Sequence, residues 1–346
     1  MKELRRLIDE SLEAFLSSTR DGLSKMAPQA APILDEVARA TFPGGKRLRP
    51  VLCYWGYRGG GGEHGAPILK ASASLELLHT FALLHDDVMD AASLRRGEPT
   101  PLRRIAEETG RKSFGLSISV LAGDLAFALS DLMFTASGFG PEPLARAFSP
   151  LNTMRLQAAA GQYLDLVGTG APPEDVESAR RAMRLKTASY SVEGPLAVGA
   201  ALAGAHDPVV SLLSRYGSPL GEAFGLTDEL LGLFGEAAQT GKDADTDLRR
   251  GTPTVLIAEA FARAVEGDRE VLRGHWGNPS ARETEMEAVR SVVRSSGALD
   301  AVLESIDRLA AEAVEAIGQP PGLPEEPSAA LREIAERSSA GGLRLT

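Results

Sequence analysis

The sequence predicts an all-α protein. Apolar residues recur at helical spacing through most of the 346-residue chain, and no segment shows sustained alternation of apolar and polar residues. Alanine and leucine are abundant, while aromatic residues make up only 5% of the composition. Hydrophobic residues make up 43%, which is enough for a sizeable core. Such a chain favours packed helices over sheets.

Six segments place apolar residues three or four positions apart, as amphipathic helices do. They cover residues 3–16, 31–41, 69–90, 117–134, 144–167 and 175–191. Stretches rich in glycine and proline, among them FPGGKRLRP (42–50), are interpreted as breaks between helices, and GQPPGLPEEPS (318–328) is the one candidate linker. The segment after this linker is too short to form a domain. We therefore expect a single domain over 1–346, with its motifs in 40–255 and a C-terminal helical extension in 256–346.

Composition narrows the classes of function. A net charge of −10 argues against a nucleic-acid-binding protein. The single cysteine, Cys53, cannot form an internal disulfide, and we expect a buried thiol. The N-terminus is charged and lacks the apolar stretch of a secretory signal, and the apolar run 194–205 is shorter than the ~20 residues that cross a bilayer. We expect a cytoplasmic protein with no stable membrane insertion.

The segment LLHDDVMD carries three carboxylates, on Asp86, Asp87 and Asp90. On a helix Asp86 and Asp90 share one face, and like charges so close require a counter-charge. Mg²⁺ supplies one, because it binds through one or two carboxylates and phosphate oxygens. His79 lies two turns earlier on the same stripe and suggests a cavity. The alternatives are a helix that runs into solvent and a core histidine.

Basic groups accompany the acidic motif. GGKRLRP (44–50) places three cations behind two glycines, and RRGEPT (95–100) follows the carboxylates closely. LKTASYS (185–191) and Lys242 add two lysines. Cations and carboxylates that line one cleft suit a polyphosphate bound with Mg²⁺.

These motifs, together with AGD (122–124), GQYLDL (161–166) and the segment 221–254, resemble the trans-isoprenyl diphosphate synthase (polyprenyl synthetase) family in order and spacing. The resemblance covers about residues 40–255. It implies an isoprenoid synthase-type helical bundle around a deep central cavity, usually a homodimer. It also implies Mg²⁺-dependent head-to-tail condensation of isopentenyl diphosphate with an allylic diphosphate.

The resemblance also implies roles for individual residues. The isopentenyl diphosphate pocket corresponds to Lys46, Arg49, His79 and Arg96. Contacts to the allylic diphosphate correspond to Arg95, Lys186, Thr187 and Lys242, with Lys186 and Thr187 as the catalytic candidates. The Mg²⁺ ligands correspond to Asp86, Asp90 and Asp228, with Asp87 in support, and three ions are expected with substrate bound.

The residue types fit this chemistry. Breaking the allylic C–O bond leaves a diphosphate and a carbocation, so metals and cationic side chains stabilise the developing negative charge. An apolar cavity keeps water from the carbocation. In the family the departing diphosphate is the proposed base. A dedicated catalytic histidine or glutamate is therefore not needed, and none is evident in the sequence.

The second acidic motif, GLTDELLGLFGE (225–236), departs from the family pattern. Asp228 is kept, but Gly225 replaces a glutamine and Gly232 replaces the third aspartate. Glu229 replaces the second aspartate, and we interpret it as a conservative substitute. Downstream, Thr252 stands where the family usually has a lysine. These changes remove expected contacts to the allylic diphosphate.

Two alternative functions remain open. Asp228, Gly232 and Glu236 are spaced as in the second metal motif of class I terpene cyclases, with its middle hydroxyl missing. A weakly active or regulatory subunit of a heteromeric synthase would also tolerate the departures. The complete isopentenyl diphosphate pocket favours a synthase, because a cyclase has no second diphosphate to bind.

In the family, the residues four and five positions before the first aspartate set the cavity floor. They are Ala82 and Phe81 here. One aromatic residue at the fifth position resembles enzymes that make geranylgeranyl diphosphate. We expect that product, with farnesyl diphosphate next.

Overall fold

The computed structural model describes residues 1–173, 175–235 and 246–339. All six segments predicted to be helical are helical, which confirms the fold class. The N-terminal half contains α1 (Lys2–Met26), a 3₁₀ turn (Pro28–Ala30), α2 (Ile33–Thr41), α3 (Leu48–Gly59), α4 (Ala66–Met89), β1 (Leu94–Arg95), β2 (Glu98–Pro99), α5 (Pro101–Thr109), α6 (Lys112–Thr135) and α7 (Pro141–Gly168).

The second half begins with α8 (Val176–Met183), a π-helical segment (Arg184–Glu193), α9 (Gly194–Ala203) and α10 (Asp207–Phe234). It continues with α11 (Thr246–Arg250), α12 (Val255–Arg263), α13 (Glu266–His275), α14 (Glu283–Ser295), α15 (Ala298–Ile317) and α16 (Glu325–Arg337). Residues 318–324 of the candidate linker join α15 to α16, residues 325–328 form the start of α16, and α16 packs on α15 and α3. This stretch is therefore a connection within the packed fold.

The helix boundaries follow from local sequence. Thr100 caps α5, because its Oγ1 accepts a hydrogen bond from the Arg103 backbone N–H, and Pro101 opens the helix. Asp175 caps α8 in the same way through Ser178. Helix α3 begins inside the GGKRLRP stretch that was interpreted as a break, since Pro50 lies in the first turn, where its missing N–H costs little.

The core has two apolar clusters. The larger cluster packs α4 along α6 and α3 along α9, with one face of α1 resting on α4. The second cluster brings α12, α14 and α15 against the end of α10. Helix α10 contributes buried residues to both clusters, so it connects the two halves of the fold.

A π-helical segment interrupts the helix that runs from α8 to α9. The Gly194 backbone N–H bonds to the carbonyl of Ser189, five residues earlier, which is the π pattern. Lys186 and Thr187 lie in this segment. The sequence predicted a helix here, but π turns depend on tertiary packing, and they occur frequently at functional sites.

The single cysteine lies in the core. Cys53 is buried and free, and burial raises the pKa of its thiol to about 12, which confirms the core thiol.

Among the described residues, one helix, α6, is long and apolar enough by length and composition to cross a membrane, with 24 residues and a mean hydropathy of 1.6. It packs against α4 and α5. The run 194–205 is therefore not the strongest apolar candidate.

Candidate active site

The C-terminal end of α4 presents the acidic motif. Asp87 is buried, and its Oδ1 accepts a hydrogen bond of 2.8 Å from Arg95 Nε. Arg95 Nη2 also lies 3.5 Å from Asp86 Oδ2. Arg95 reaches this position because the β1–β2 hairpin folds the chain back directly after α4. Asp87 is thus occupied by Arg95, whereas Asp86 stays 24% exposed and available to a ligand.

Asp90 ends α4, and its carboxylate forms an ion pair with Arg250 of α11. Burial, followed by repulsion from Asp86, raises the pKa of Asp90 to about 6, and Arg250 and Lys186 oppose that rise. The two carboxylates therefore lie close enough to repel each other in a mostly buried site. A divalent cation bound between them would reduce this repulsion.

Helix α7 and the π segment form the adjoining wall. Lys186 Nζ donates to Asp165 Oδ2 at 2.8 Å, and Gln162 Nε2 donates to Asp86 Oδ1 at 3.2 Å. Gly161 allows this approach, because a β-carbon there would lie 2.2 Å from the Lys186 backbone nitrogen. Gln162 and Asp165 were not singled out from the sequence. Their signal was the GQYLDL stretch, in which they are three residues apart on one helix face.

The four residues assigned to the isopentenyl diphosphate pocket come from three neighbouring elements. Arg49 Nη2 donates to Ser191 Oγ at 2.7 Å, and its Cζ lies 4.5 Å from the centre of the Tyr190 ring. The His79 ring lies 6.3 Å from the same ring. Tyr190 therefore lies beside both Arg49 and His79.

The other two residues of this set are at its rim. Arg96 sits in the turn between β1 and β2 with φ of 54°, and Gly97 follows with φ of 81°, as a type I′ hairpin turn requires. Its guanidinium donates to the carbonyls of Ala40 and Pro43. Lys46 is exposed and lines a cavity of about 280 Å³ between α1, α3, α10 and α16. Asp228 lines the same cavity.

Arg47, between Lys46 and Arg49 in the basic loop, has a structural position. It is buried, and it forms ion pairs with Glu76 at 2.8 Å and Asp9 at 2.6 Å. It also donates to the backbone carbonyls of Thr41 and Phe42. Arg47 therefore anchors the loop that presents Lys46 and Arg49, and it is not available to a substrate.

The environment of His79 holds it in the neutral form. Burial comes first, followed by the positive charges of Arg49, Arg96, Arg95 and Arg47, and together they place the pKa of His79 well below 6.5. Its Nδ1 is buried and has no hydrogen-bond partner among the described residues. The ring therefore offers an unused polar atom inside a basic pocket.

This pKa gives a prediction on stability. The unfolded chain binds a proton at His79 below about pH 6.5, and the folded chain does not, so acid favours unfolding. The contribution of His79 to the free energy of unfolding, taken as wild type minus His79→Asn, should fall by ~1.4 kcal/mol per pH unit below 6.5 until the folded pKa is reached. Urea unfolding of wild type and His79→Asn between pH 7.5 and 5 measures the difference. Parallel pH profiles for the two proteins would refute the prediction.

The second acidic motif lies on α10, as predicted, but Glu229 does not act as a substitute for the missing aspartate. Its Oε2 accepts a hydrogen bond of 3.1 Å from the Leu256 backbone N–H at the start of α12. Burial raises the pKa of Glu229 to about 7. Glu229 thus holds α12 against α10, and the interpretation as a conservative substitute was wrong, because free backbone donors at the helix N-terminus take the carboxylate.

The two glycines that replace expected polar residues in this motif have different surroundings. A side chain at 225 would collide with Met183, whose Sδ would lie 2.3 Å from the new β-carbon, so Met183 fills the place of the expected glutamine. A β-carbon at 232 would lie 3.1 Å from Asp247 Oδ2. Helix α11 therefore places the carboxylate of Asp247 beside the position that lost its aspartate.

An aromatic group lies one turn below the acidic motif. Phe81 packs edge-on against His85, with centroids 4.8 Å apart, and against Phe127 of α6, with centroids 5.0 Å apart. Ala82 packs beside them as a partly buried residue of the larger cluster. The sequence identified Phe81 but not Phe127, because their contact joins two helices.

Two residues named from the sequence lie outside the described residues. They are Lys242, assigned to the allylic diphosphate, and Glu236, which the cyclase interpretation requires. Thr187 lies in the π segment next to Lys186 and is half-buried.

The donor set fits magnesium that arrives with a phosphate ligand. Among the described residues, no three histidine, cysteine, aspartate or glutamate side chains form a ready-made metal site. Mg²⁺ usually takes one or two carboxylates and completes its coordination with phosphate oxygens and water. Asp86 and Asp90 supply oxygens of this kind. The all-helical fold and this cleft together define an enzyme that handles a diphosphate with a metal.

Comparison with known proteins agrees with this class. The profile of the polyprenyl synthetase family matches residues 31–293. A geranylfarnesyl diphosphate synthase of Aeropyrum pernix is 34% identical over 85% of this chain and 86% of its own length. A geranylgeranyl diphosphate synthase of Sulfolobus acidocaldarius is 28% identical over 95% of this chain and 97% of its own.

A solved structure is also similar. It is a geranylgeranyl pyrophosphate synthase from Corynebacterium glutamicum in complex with isoprenyl diphosphate and magnesium. It superposes with a TM-score of 0.92, at 31% identity, over 98% of each chain. The chain belongs to the polyprenyl synthetase family and is a prenyltransferase.

Proposed function

We propose that this enzyme condenses isopentenyl diphosphate head-to-tail with an allylic diphosphate, in a reaction that depends on Mg²⁺. The observation that carries the proposal is the charge arrangement around the end of α4. Two carboxylates, of Asp86 and Asp90, face cations supplied by β1, the π segment and α11. This arrangement suits a metal-bound diphosphate, whose negative charge the cations neutralise.

The allylic diphosphate binds at this end of the cleft. Bound Mg²⁺ would be held by Asp86 and Asp90 and would stabilise the charge that develops on the leaving diphosphate. Lys186 and Thr187 are presented by the π segment, and the hydrogen bond from Lys186 to Asp165 fixes the direction of the ammonium group. Arg95 stays attached to Asp87 and contributes its charge. Lys242 belongs to the same set.

Isopentenyl diphosphate binds in the basic pocket formed by Lys46, Arg49, His79 and Arg96. Arginines provide several donors in a fixed geometry that matches phosphate oxygens. Because His79 is neutral, its ring can donate one hydrogen bond to an anion without adding a buried charge. Lys46, at the exposed rim, is placed to attract the diphosphate from solvent.

We propose three magnesium ions with substrate bound, one of them held by Asp228. Asp228 lies on α10, the helix that carries the second acidic motif, and it borders the cavity that Lys46 also lines. A metal held by Asp228 would add positive charge to the bound diphosphate. Asp87 supports the first motif by holding Arg95 in place.

We propose geranylgeranyl diphosphate as the product, with farnesyl diphosphate next. The support is the position of Phe81, which packs with Phe127 one turn below Asp86, where a growing chain would meet the two rings. The similar enzyme of Aeropyrum pernix is named for geranylfarnesyl diphosphate, which is one isoprene unit longer. Chain length is therefore decided by how much room these rings leave.

Replacing Phe81 by alanine is expected to lengthen the product by one or more isoprene units. The change removes a ring that fills the floor, and the growing chain can extend into the space. Liquid chromatography with mass spectrometry of dephosphorylated products measures the distribution. Phe139→Ala, which removes a ring packed on Tyr57, is the matched control and should leave the distribution unchanged. An unchanged product from Phe81→Ala would show that Phe81 is not the floor.

We also propose a homodimer formed through α6 and α7. These helices carry an unusual number of exposed apolar side chains: Leu116, Val120, Leu121, Leu132, Leu156, Tyr163, Leu164, Leu166 and Val167. Exposed apolar side chains concentrated on two helices are typical of an interaction site. Light scattering should give the mass of two chains.

Two further parts of the proposal concern the whole chain. We propose that residues 1–346 form a single folding unit and that the protein is cytoplasmic.

The activity is tested with isopentenyl diphosphate, Mg²⁺ and each of three primers, namely dimethylallyl, geranyl and farnesyl diphosphate. We expect consumption of isopentenyl diphosphate with at least one primer, and none after chelation of the metal. A cyclase would release a hydrocarbon or alcohol from the primer without isopentenyl diphosphate. A partner subunit would be inactive until a second protein was added. Either result would overturn the proposal.

A further inference from the structure

Arg250 lies against the carboxylate of Asp90, one of the two proposed metal ligands of the first acidic motif. It ends α11, a short helix that comes after the second acidic motif in the chain. Its Nη1 forms an ion pair with Asp90 Oδ1, and both side chains are nearly enclosed, with 15% of Arg250 and 12% of Asp90 exposed. Arg250 Nη2 is buried and has no hydrogen-bond partner among the described residues. The guanidinium thus has donor capacity that Asp90 does not use.

A magnesium ion and Arg250 compete for the same oxygen. Mg²⁺ binds carboxylate oxygens at about 2.1 Å and demands near-octahedral geometry, so a guanidinium cannot keep its contact with an oxygen on the side where the metal binds. When the metal arrives with a diphosphate, the nearest new anion for Arg250 is that diphosphate. The planar fork of a guanidinium suits two phosphate oxygens at once.

Thr252 leaves the diphosphate site with one cation fewer than the family pattern provides. It stands where the family pattern usually has a lysine, and its hydroxyl carries no charge. It lines a small cavity of about 20 Å³ with Glu229, Gly232 and Asp247. Its Oγ1 is buried without a hydrogen-bond partner among the described residues. Relative to the family pattern, position 252 thus lacks a positive charge, and Arg250 lies two residues earlier in the same segment of the chain.

We propose that Arg250 is a substrate-binding residue of this enzyme, which pairs with Asp90 in the free protein and transfers to the allylic diphosphate when the metal complex binds. This inference rests on the proposed function, because it assigns a residue to the same diphosphate site. Arg250 then supplies the charge that Thr252 cannot. It also lowers the affinity for Mg²⁺ alone, since it occupies a ligand oxygen until a diphosphate is present.

Calorimetric titration with inorganic pyrophosphate in the presence of Mg²⁺ tests the inference. We expect Arg250→Gln to weaken pyrophosphate binding about tenfold to a hundredfold, as the loss of a charged hydrogen bond does. Binding of Mg²⁺ alone should be tighter in Arg250→Gln, because the guanidinium no longer occupies a carboxylate oxygen of Asp90. If Arg250 had only a structural role, its replacement would weaken the binding of pyrophosphate and of Mg²⁺ alike. Adding Thr252→Lys to Arg250→Gln should restore much of the pyrophosphate affinity.

Arg249→Gln is the matched control, because Arg249 is the adjacent cation of α11 but donates to the Ala281 carbonyl. It should bind pyrophosphate as wild type does. Arg250→Lys keeps the charge and should lose less than Arg250→Gln, which preserves the test if Arg250→Gln folds poorly. If both Arg250 variants bound pyrophosphate with wild-type affinity, the inference would be overturned. The proposed condensation activity would still stand. A wild-type enzyme that neither binds pyrophosphate with Mg²⁺ nor consumes isopentenyl diphosphate would overturn both.

Discussion

Asp86→Asn is expected to lower kcat by about a thousandfold, with little effect on folding. Asp86 is the most accessible carboxylate of the first motif, and its partners, Arg95 and Gln162, approach its two oxygens without enclosing it. Removing its charge weakens the metal that stabilises the leaving diphosphate, and losses of this kind reach about 10³ in rate. Steady-state assays at saturating primer, with Mg²⁺ varied, measure the effect.

Two controls define the Asp86 experiment. Asp300→Asn makes the same chemical change at an exposed position in the first turn of α15, and it should keep wild-type kcat. Thermal unfolding without metal should give similar midpoints for all three proteins. If Asp86→Asn kept more than about a tenth of the wild-type kcat at any Mg²⁺ concentration, the assignment of Asp86 as a metal ligand would be wrong.

Arg47→Met is expected to lower the free energy of unfolding by ~3–5 kcal/mol, the usual cost of leaving one partner of a buried ion pair alone. Glu76 would lose its counter-charge at a site where only 4% of its side chain is exposed. The carbonyls of Thr41 and Phe42 would lose their donor as well. Urea unfolding at pH 7 measures the change. Methionine keeps the volume and has the same backbone cost at the φ of 52°.

A double-mutant cycle separates the ion pair from general packing loss. Replacing a whole buried pair by apolar residues is often nearly neutral, so Arg47→Met with Glu76→Met should be more stable than the sum of the single changes predicts. We expect a coupling energy of ~1–3 kcal/mol. Strict additivity would contradict the view that Arg47 and Glu76 stabilise each other.

The helices could be predicted from the sequence because their signal is local. Apolar spacing within α1 shows which face is buried, because Leu4, Ile8, Leu12 and Leu16 recur every four residues. Helix α4 is long and apolar enough to be predicted as a helix, but its residues 71–78 are all buried, so its spacing does not mark one buried face. The π segment could not be predicted, because its geometry depends on the helices packed around it. The start of α3 was also missed, since a proline was interpreted as a break although the first helical turn tolerates it.

The candidate site contains some contacts that sequence spacing predicts and others that it does not. Asp86 and Asp90 lie one turn apart at the end of α4, and Arg95 follows within five residues in β1, so sequence spacing places them together. Lys186 with Asp165, and Arg250 with Asp90, join helices that are distant in the chain. No periodicity within one segment predicts such contacts.

Residue type alone misassigned Glu229, and it does not separate Arg47 from its basic neighbours. Arg47 and Glu229 have the charge expected of ligand-binding groups, yet both are used to hold neighbouring elements together. Arg47 faces inward from a left-handed backbone position, and Glu229 meets free N–H groups at the start of α12. Only the packing distinguishes these residues from their neighbours Lys46 and Asp228, which line the cavity.

Crystals grown with Mn²⁺ and a non-reactive thiolo analogue of an allylic diphosphate test the central claim most directly, because anomalous scattering locates each metal. We expect metal peaks within bonding distance of Asp86 and Asp90 and a further peak at Asp228, all sharing oxygens of one diphosphate, with Lys186 and Arg250 against the same group. A diphosphate bound elsewhere, or metals that avoid Asp86 and Asp90, would contradict the proposed mechanism.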